Sequence, residues 1–455
     1  MSSIDLVIVN GKILVPNGDI LRAGIGIEDG RIVSIGNEAN LPRADEVIDA
    51  GGNLVLPGMV DMHVHFRDPG FTYKEDFVSG TKAAAAGGVT TAADMPNSAP
   101  QTNTLERFEE KKKIAERKAV IDFGLYAFPS NLDHVTKFVE AGAIGFKIYM
   151  TRLRPDFSDI SILDDGVLLD TFKAIAETDA PACVHLDNPD ISRRIRERLK
   201  ATGRKDHLVR IDLGEASQVA EAEAATRAII LAEDAGVKLH ICHVLSWRAI
   251  ELIRYAKSRG VRVTAEMMPA RLVITMDDLH RLGPNIWAFP VEREKHMEEI
   301  YQALRDGTVD AFGTDHAPHT KEEKAKGWEN IWEMWQSGSP QLQYALPMLL
   351  TVVNKRGLSI HDLVRLYSTN PAKIMGMYPR KGTIRIGSDA DIVIVDLKKE
   401  IKIISENLYS KAGYTPFEGK KAKGIPVRTI VRGETVMEDG VVTGKPGHGV
   451  LIRRQ

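Results

Sequence analysis

The sequence is poor in cysteine: of 455 residues only Cys183 and Cys242 are cysteines, each inside an apolar run, APACVHL and VKLHICHVL. That excludes a disulfide-stapled scaffold and predicts two buried, reduced thiols. Net charge is nearly absent as well, with Lys+Arg 60 against Asp+Glu 62 and a formal charge of -2. The balance leaves no electrostatic basis for binding nucleic acid or an anionic membrane. No apolar run approaches the roughly 18 residues of a membrane span. The opening MSSIDLVIVNGK lacks a basic stretch followed by a long apolar one, so no secretory signal is expected and the cytoplasm is the expected compartment. Neither internal repeats nor low-complexity tracts occur, so no repeat architecture is expected.

What is present is an ordinary globular composition, 43% hydrophobic and 27% charged, in a chain long enough for one large core and a satellite. Both ends alternate apolar and polar residues between turns. DLVIVNGKILV places Asn-Gly between two apolar runs, a hairpin signal, and GIGIEDGRIVSIG repeats it with Asp-Gly. GTIRIGSDADIVIVDL and RTIVRGETVMEDGVVTG are similar at the other end. Residues 1–55 and 376–455 are therefore expected to build one small β-sandwich, with residues 56–375 inserted between its halves.

The inserted part alternates. Apolar or β-branched runs at 58–65, 89–95, 121–127, 144–149, 182–186, 238–243, 261–266 and 309–315 are separated by amphipathic stretches such as TLERFEEKKKIAERK. Eight strand candidates with helical intervals predict an α/β fold, a (β/α)8 TIM barrel; a doubly wound sheet usually has fewer strands and a Gly-rich nucleotide turn.

In such a barrel the C-terminal strand ends face the active site. Those ends carry His63 and His65, Asn97, Lys147, His185, His240 and His243, then Asp315, His316 and His319. Singly, each has a bland reading. A histidine in an apolar strand is ordinarily a hydrogen-bonded core residue, and Asp315 could cap a helix. Lys147, between Phe146 and Ile148, would be costly if buried without a partner. Together they gather metal-ligand chemistry on one face. His63 and His65, two apart on a strand, share a side and can bind one ion, and Arg67 continues it. A guanidinium there suits a substrate carboxylate, the bland alternative being an ion pair with Asp68 or Glu75. His240, three before His243, is expected on the opposite face in a structural role.

VDMHVHFRDPG, AAAAGGVTTAADMPNSAPQT and FGTDHAPHTKEEK together resemble the dihydroorotase branch of the metal-dependent amidohydrolase superfamily. STNPAKIMG and KGTIRIGSDADIVIVDL extend the likeness over nearly the whole chain. The resemblance implies two divalent metal ions, with zinc expected: His63 and His65 on the buried ion, His185 and His243 on the second, and Asp315 completing the first. It implies a carbamate, formed from CO2, on Lys147 bridging both ions. It implies that Asn97 and His319 join Arg67 in gripping a carboxylate. The implied reaction is the reversible conversion of dihydroorotate and water into N-carbamoyl-aspartate, in pyrimidine biosynthesis. A hydroxide between the ions would attack the amide carbonyl, with Asp315 as catalytic proton carrier. A hydantoinase- or allantoinase-type cyclic amidase is the alternative, and a non-catalytic homologue acting as an assembly subunit a remoter one. A small-molecule substrate and a homo-oligomer, dimer or tetramer, are expected. Two segments depart from the family pattern near the substrate ring: MMPARLVIT within 267–275, and AFPVER at 288–293.

Overall fold

Eight parallel strands pair side by side in chain order: β1 (Met59–Val64), β2 (Val89–Asp94), β3 (Asp122–Ala127), β4 (Ala143–Tyr149), β5 (Pro181–His185), β6 (Lys238–Ile241), β7 (Val263–Met267) and β8 (Ala311–Phe312). The computed structural model describes residues 3–153, 160–286, 294–334, 337–353 and 357–455. β8 is short, and the ring closes on it by other means. Val64 bridges His316, with the His65 N–H donating to the His316 carbonyl at 2.8 Å. Below that bridge, Asp61 on β1 accepts the Thr314 N–H at 3.1 Å and the Tyr367 hydroxyl at 2.8 Å.

Helices cover the outside of the barrel, and Leu105–Lys118 shows why such charged stretches are helical. Thr104 caps its first turn by accepting from the Arg107 N–H, and Lys118 lies in the last turn, where the helix dipole favours a cation. Phe108, Lys111 and Ala115 are the buried residues, spaced to share one face. Phe108 packs against Phe138 with ring centroids 5.9 Å apart, and burial of such a side chain stabilises by roughly 1.5–3 kcal/mol. Inside the ring, Met62, Tyr126, Ile144, Cys183, Cys242 and Met377 pack as one apolar cluster, so the barrel has a filled floor. Both cysteines are free and buried, as expected.

The two chain ends form one nine-stranded sheet, joined where Leu54–Pro57 pairs antiparallel with Ile392–Val395. Its core brings together Ile8, Ile25 and Val55 from the first part with Ile392 and Ile430 from the last. The Asp29-Gly30 hairpin forms as expected, Glu28 facing Arg31 across the turn. The Asn10-Gly11 hairpin does not. Ile4–Leu14 is one strand, and Asn10, at φ 55°, makes a bulge between Ile8 and Gly11. Gly11 is needed there because a Cβ would lie 2.7 Å from the Val55 side chain.

At the barrel's N-terminal end an ion cluster ties it to this sheet. Lys381 Nζ is fully buried and meets Asp391 at 2.7 Å, Asp389 at 3.0 Å and Asp122 of β3. Arg432 pairs with the other oxygen of Asp122.

Candidate metal centre

At the opposite, C-terminal end of the strands lies a cavity of about 520 Å³. His63, His65, Arg67, Asn97, Lys147, His185, His243, Asp315 and His319 all line it, so the structure brings together every site residue singled out from the sequence. The route to that gathering differs from simple strand alternation. β1 ends at Val64, β6 at Ile241 and β8 at Phe312, short of His65, His243 and Asp315, which they were expected to carry. Three of those residues turn back into the cavity through left-handed backbone: Arg67 at φ 62°, His243 at 34° and Asp315 at 48°.

His63 and His65 converge on one carboxylate. Asp315 Oδ1 lies 3.5 Å from His63 Nε2 and 3.0 Å from His65 Nε2. The other nitrogen of each ring is already committed: His65 Nδ1 donates to Asn97 Oδ1 at 2.7 Å, and His63 Nδ1 contacts Glu266. With Nδ1 carrying the proton, each Nε2 presents a lone pair towards the carboxylate oxygen. Three lone pairs facing one point suit a cation, and these ligand atoms lie within 4.8 Å of one another. Burial lowers the His65 pKa to about 4, leaving the ring neutral. Burial alone would raise the Asp315 carboxyl, but His63 and His65 beside it hold it well below the usual range. Burial also works against charge on His63, yet Glu266 and Asp315 push its pKa up to about 10. The carboxylates that favour a proton on that ring would favour a metal cation in its place.

His185 and His243 form a second pair, Nδ1 to Nε2 at 3.0 Å. Burial and Lys147 lower His243 to about 3; burial, His243 and Lys147 lower His185 well below the usual imidazole. Both are neutral, the form that binds metal. Lys147 Nζ, buried among these rings, has no hydrogen-bond partner, and neither has the Tyr149 hydroxyl two residues on.

Arg67 is not paired as the bland reading had it. Asp68 is taken by Lys118 at 2.7 Å, and Glu75 by Ser79, Ser410 and His316. Arg67 instead donates from Nε to the Pro318 carbonyl at 3.2 Å and from Nη2 to His319 Nε2 at 3.3 Å. Burial keeps His319 neutral, its pKa well below the usual value.

Some of the site escaped the sequence. Glu266, on β7, holds both His63 and, at 3.3 Å, His240 Nε2. A lone glutamate in VTAEMM has no spacing partner to flag it; burial inside a strand was its one available signal. His240 does not face away from the cavity. It lies beneath the site, with Nδ1 at 2.9 Å from Thr264, because His243 and not His240 departs from strand geometry. Its structural role stands. His316 is likewise structural, accepting the Gln341 and Leu342 N–H groups at 3.2 and 3.3 Å. Of the departing segments, Met268 lines the cavity, whereas Arg271 binds loop carbonyls elsewhere; AFPVER lies outside the described residues.

The amidohydrolase family model matches residues 54–436. An L-hydantoinase from Paenarthrobacter aurescens is 38% identical, covering 99% of this chain and 98% of its own length. A dihydroorotase from Methanothermobacter thermautotrophicus is 39% identical, covering 93% and 92%. An allantoinase from Deinococcus radiodurans is 34% identical, covering 99% of each. The solved structure of an L-hydantoinase from Arthrobacter aurescens superimposes with a TM-score of 0.93 at 36% identity, covering 99% of this chain and 100% of that one. These relatives carry three names, so the likeness does not single out dihydroorotate as the ring. With fold, metal-ligand cavity and family match in agreement, this chain is an enzyme of the amidohydrolase family, in its cyclic-amide-hydrolysing branch.

Proposed function

We propose that this enzyme opens, reversibly, a cyclic amide bearing a carboxylate, with dihydroorotate as substrate and N-carbamoyl-aspartate as product. The observation that carries the proposal is Arg67: a guanidinium turned into the cavity beside the histidines, with no ion pair among the described residues. An anionic substrate group supplies the missing partner.

His63, His65 and Asp315 would hold one cation, His185 and His243 the other. The orphaned Lys147 Nζ fits the carbamate bridge, because carbamylation replaces a buried cation by an anion with two ligand oxygens. Two divalent ions, with zinc suited to imidazole and carboxylate, would supply Lewis acidity: a nucleophile at neutral pH and a polarised carbonyl. Asp315, held as a carboxylate, accepts the proton of the attacking water on Oδ and passes it to the departing ring nitrogen. Arg67 orients the ring through its carboxylate. Asn97 fixes His65 through Oδ1 and keeps its amide N–H groups for substrate.

A second reading, a hydantoin- or allantoin-type ring, is favoured by the apolar lining of Leu186, Leu245, Met268 and Trp332, which suits a ring substituent. Turnover of dihydroorotate, hydantoin, a 5-substituted hydantoin, dihydrouracil and allantoin by the zinc-loaded enzyme separates the two. Preference for dihydroorotate is expected; a preference for uncharged rings transfers the assignment to the second reading.

A further inference from the structure

The segment that leaves β6, Cys242–Ser246, holds His243 in left-handed backbone at φ 34°. Its backbone groups are held one by one. The Cys242 N–H donates to the Val184 carbonyl at 3.0 Å and the Val244 N–H to the Glu266 carbonyl at 2.9 Å. The His243 N–H reaches the Glu266 carboxylate at 3.2 Å. Beyond His243 two other side chains take over. Arg271 donates from Nη1 to the Val244 carbonyl at 2.7 Å and from Nη2 to the Leu245 carbonyl at 2.8 Å. Glu221 accepts the Leu245 N–H at 2.7 Å and the Ser246 N–H at 3.1 Å. Arg271 stands in the turn after β7, Pro269–Leu272; Glu221 stands in the helix Val209–Ala235. Two elements distant in sequence thus grip the same loop, one by its carbonyls and the other by its N–H groups.

We infer that Arg271 and Glu221 are positioning residues for His243, holding its backbone so that its imidazole stays opposed to that of His185. The inference rests on the proposed reading of this histidine pair as holding one of the two cations. Left-handed backbone at a residue with a β-carbon persists where its surroundings over-determine it. Here the fork of an arginine meets two consecutive carbonyls at once, which a lysine's single ammonium cannot reproduce in the same geometry. Without it the Val244 and Leu245 carbonyls lose their partners, and His243 is free to relax to ordinary backbone. The segment in which this chain departs from the dihydroorotase pattern therefore acts in two directions, through Arg271 on the metal centre and through Met268 on the cavity wall.

The test uses the full chain, stripped of metal and titrated with cobalt, whose visible spectrum reports each ion as it binds. Arg271→Met is expected to bind the first ion as the wild type does and the second about 10–100-fold more weakly, the usual scale for a residue supporting a metal ligand. Arg271→Lys should recover part of that loss. In the metal-free chain, amide exchange at Leu245 and Ser246 should accelerate in Glu221→Gln without a matching change elsewhere in the barrel. Unchanged second-ion affinity in Arg271→Met overturns the inference. If that variant does not fold, Glu221→Gln is titrated in its place, and unchanged second-ion affinity there overturns it equally. A wild-type chain that binds fewer than two cobalt ions instead sinks the two-cation reading beneath it.

Discussion

Arg67, His243 and Asp315 each occupy backbone that resists a β-carbon, and each lines the cavity. Such positions cost of order 1–3 kcal/mol apiece and are held by their surroundings. The residue types were legible in the sequence as polar residues following apolar runs; the turn that aims them was not, because none of the three is a glycine, the residue that ordinarily marks a positive φ. Two outcomes follow at this scale. Arg67→Met should raise the KM for dihydroorotate at least about tenfold, the worth of one charge-assisted contact, and leave metal content and the kinetics of hydantoin unchanged. Intact dihydroorotate kinetics would remove the carboxylate assignment. Lys147→Ala should lose turnover and regain part of it with added short-chain carboxylic acids, which can stand in for the bridging oxygens. A variant that works without them would take the lysine out of the site.

The strands show a different balance. All eight were legible, because apolar runs of the right length alternate with amphipathic ones, and their ends fell close to the expected positions except at β8, expected over 309–315 and confined to Ala311–Phe312. The terminal Asn10-Gly11 step misled because the pair that makes a hairpin also makes a bulge, and tertiary pairing chose between them. Ring closure was hidden as well: β8 pairs through two residues, and the Asp61 carboxylate takes over at Thr314. Burial raises the Asp61 pKa from 3.8 to about 6, against the hydrogen bonds from Thr314, Tyr367 and His63. The folded chain therefore binds this proton more readily than the unfolded chain, and its contribution to stability falls as pH rises between about 4 and 6. Asp61→Asn, neutral throughout, should lack that fall. Urea unfolding of the metal-free variant and wild type at pH 5 and pH 7.5 should show the variant gaining relative to the wild type at the higher pH. Between those two pH values the gain is bounded by about 1.4 kcal/mol, the one unit that separates pH 5 from a pKa of about 6. A difference that stays constant with pH would mean that Asp61 is charged in both states.

For the whole molecule, the ion cluster around Lys381 fastens barrel to sheet at the end remote from the cavity. Its members are numbered 122, 381, 389, 391 and 432, a constellation no spacing rule could assemble from the sequence. Lys381→Met leaves Asp122 to Arg432 and Asp389 to Arg380 but takes from the buried Asp391 its cation, and should cost about 3–5 kcal/mol. Thermal unfolding should register that loss while turnover of the folded fraction at lower temperature stays near wild type. A fall in the kcat of the folded fraction would show instead that the sheet sets the geometry of the distant cavity.

The junction of the two chain ends also has a consequence in time. Leu54–Pro57 pairs with Ile392–Val395, and the whole barrel is encoded between them. At about 5–20 residues per second, a ribosome needs on the order of tens of seconds to deliver the second partner after the first. Throughout that interval the nascent chain presents an apolar strand with one unpaired edge, the feature that recruits wrong partners. The stage of greatest exposure to aggregation is thus set by the order of synthesis, while the barrel itself is still being made.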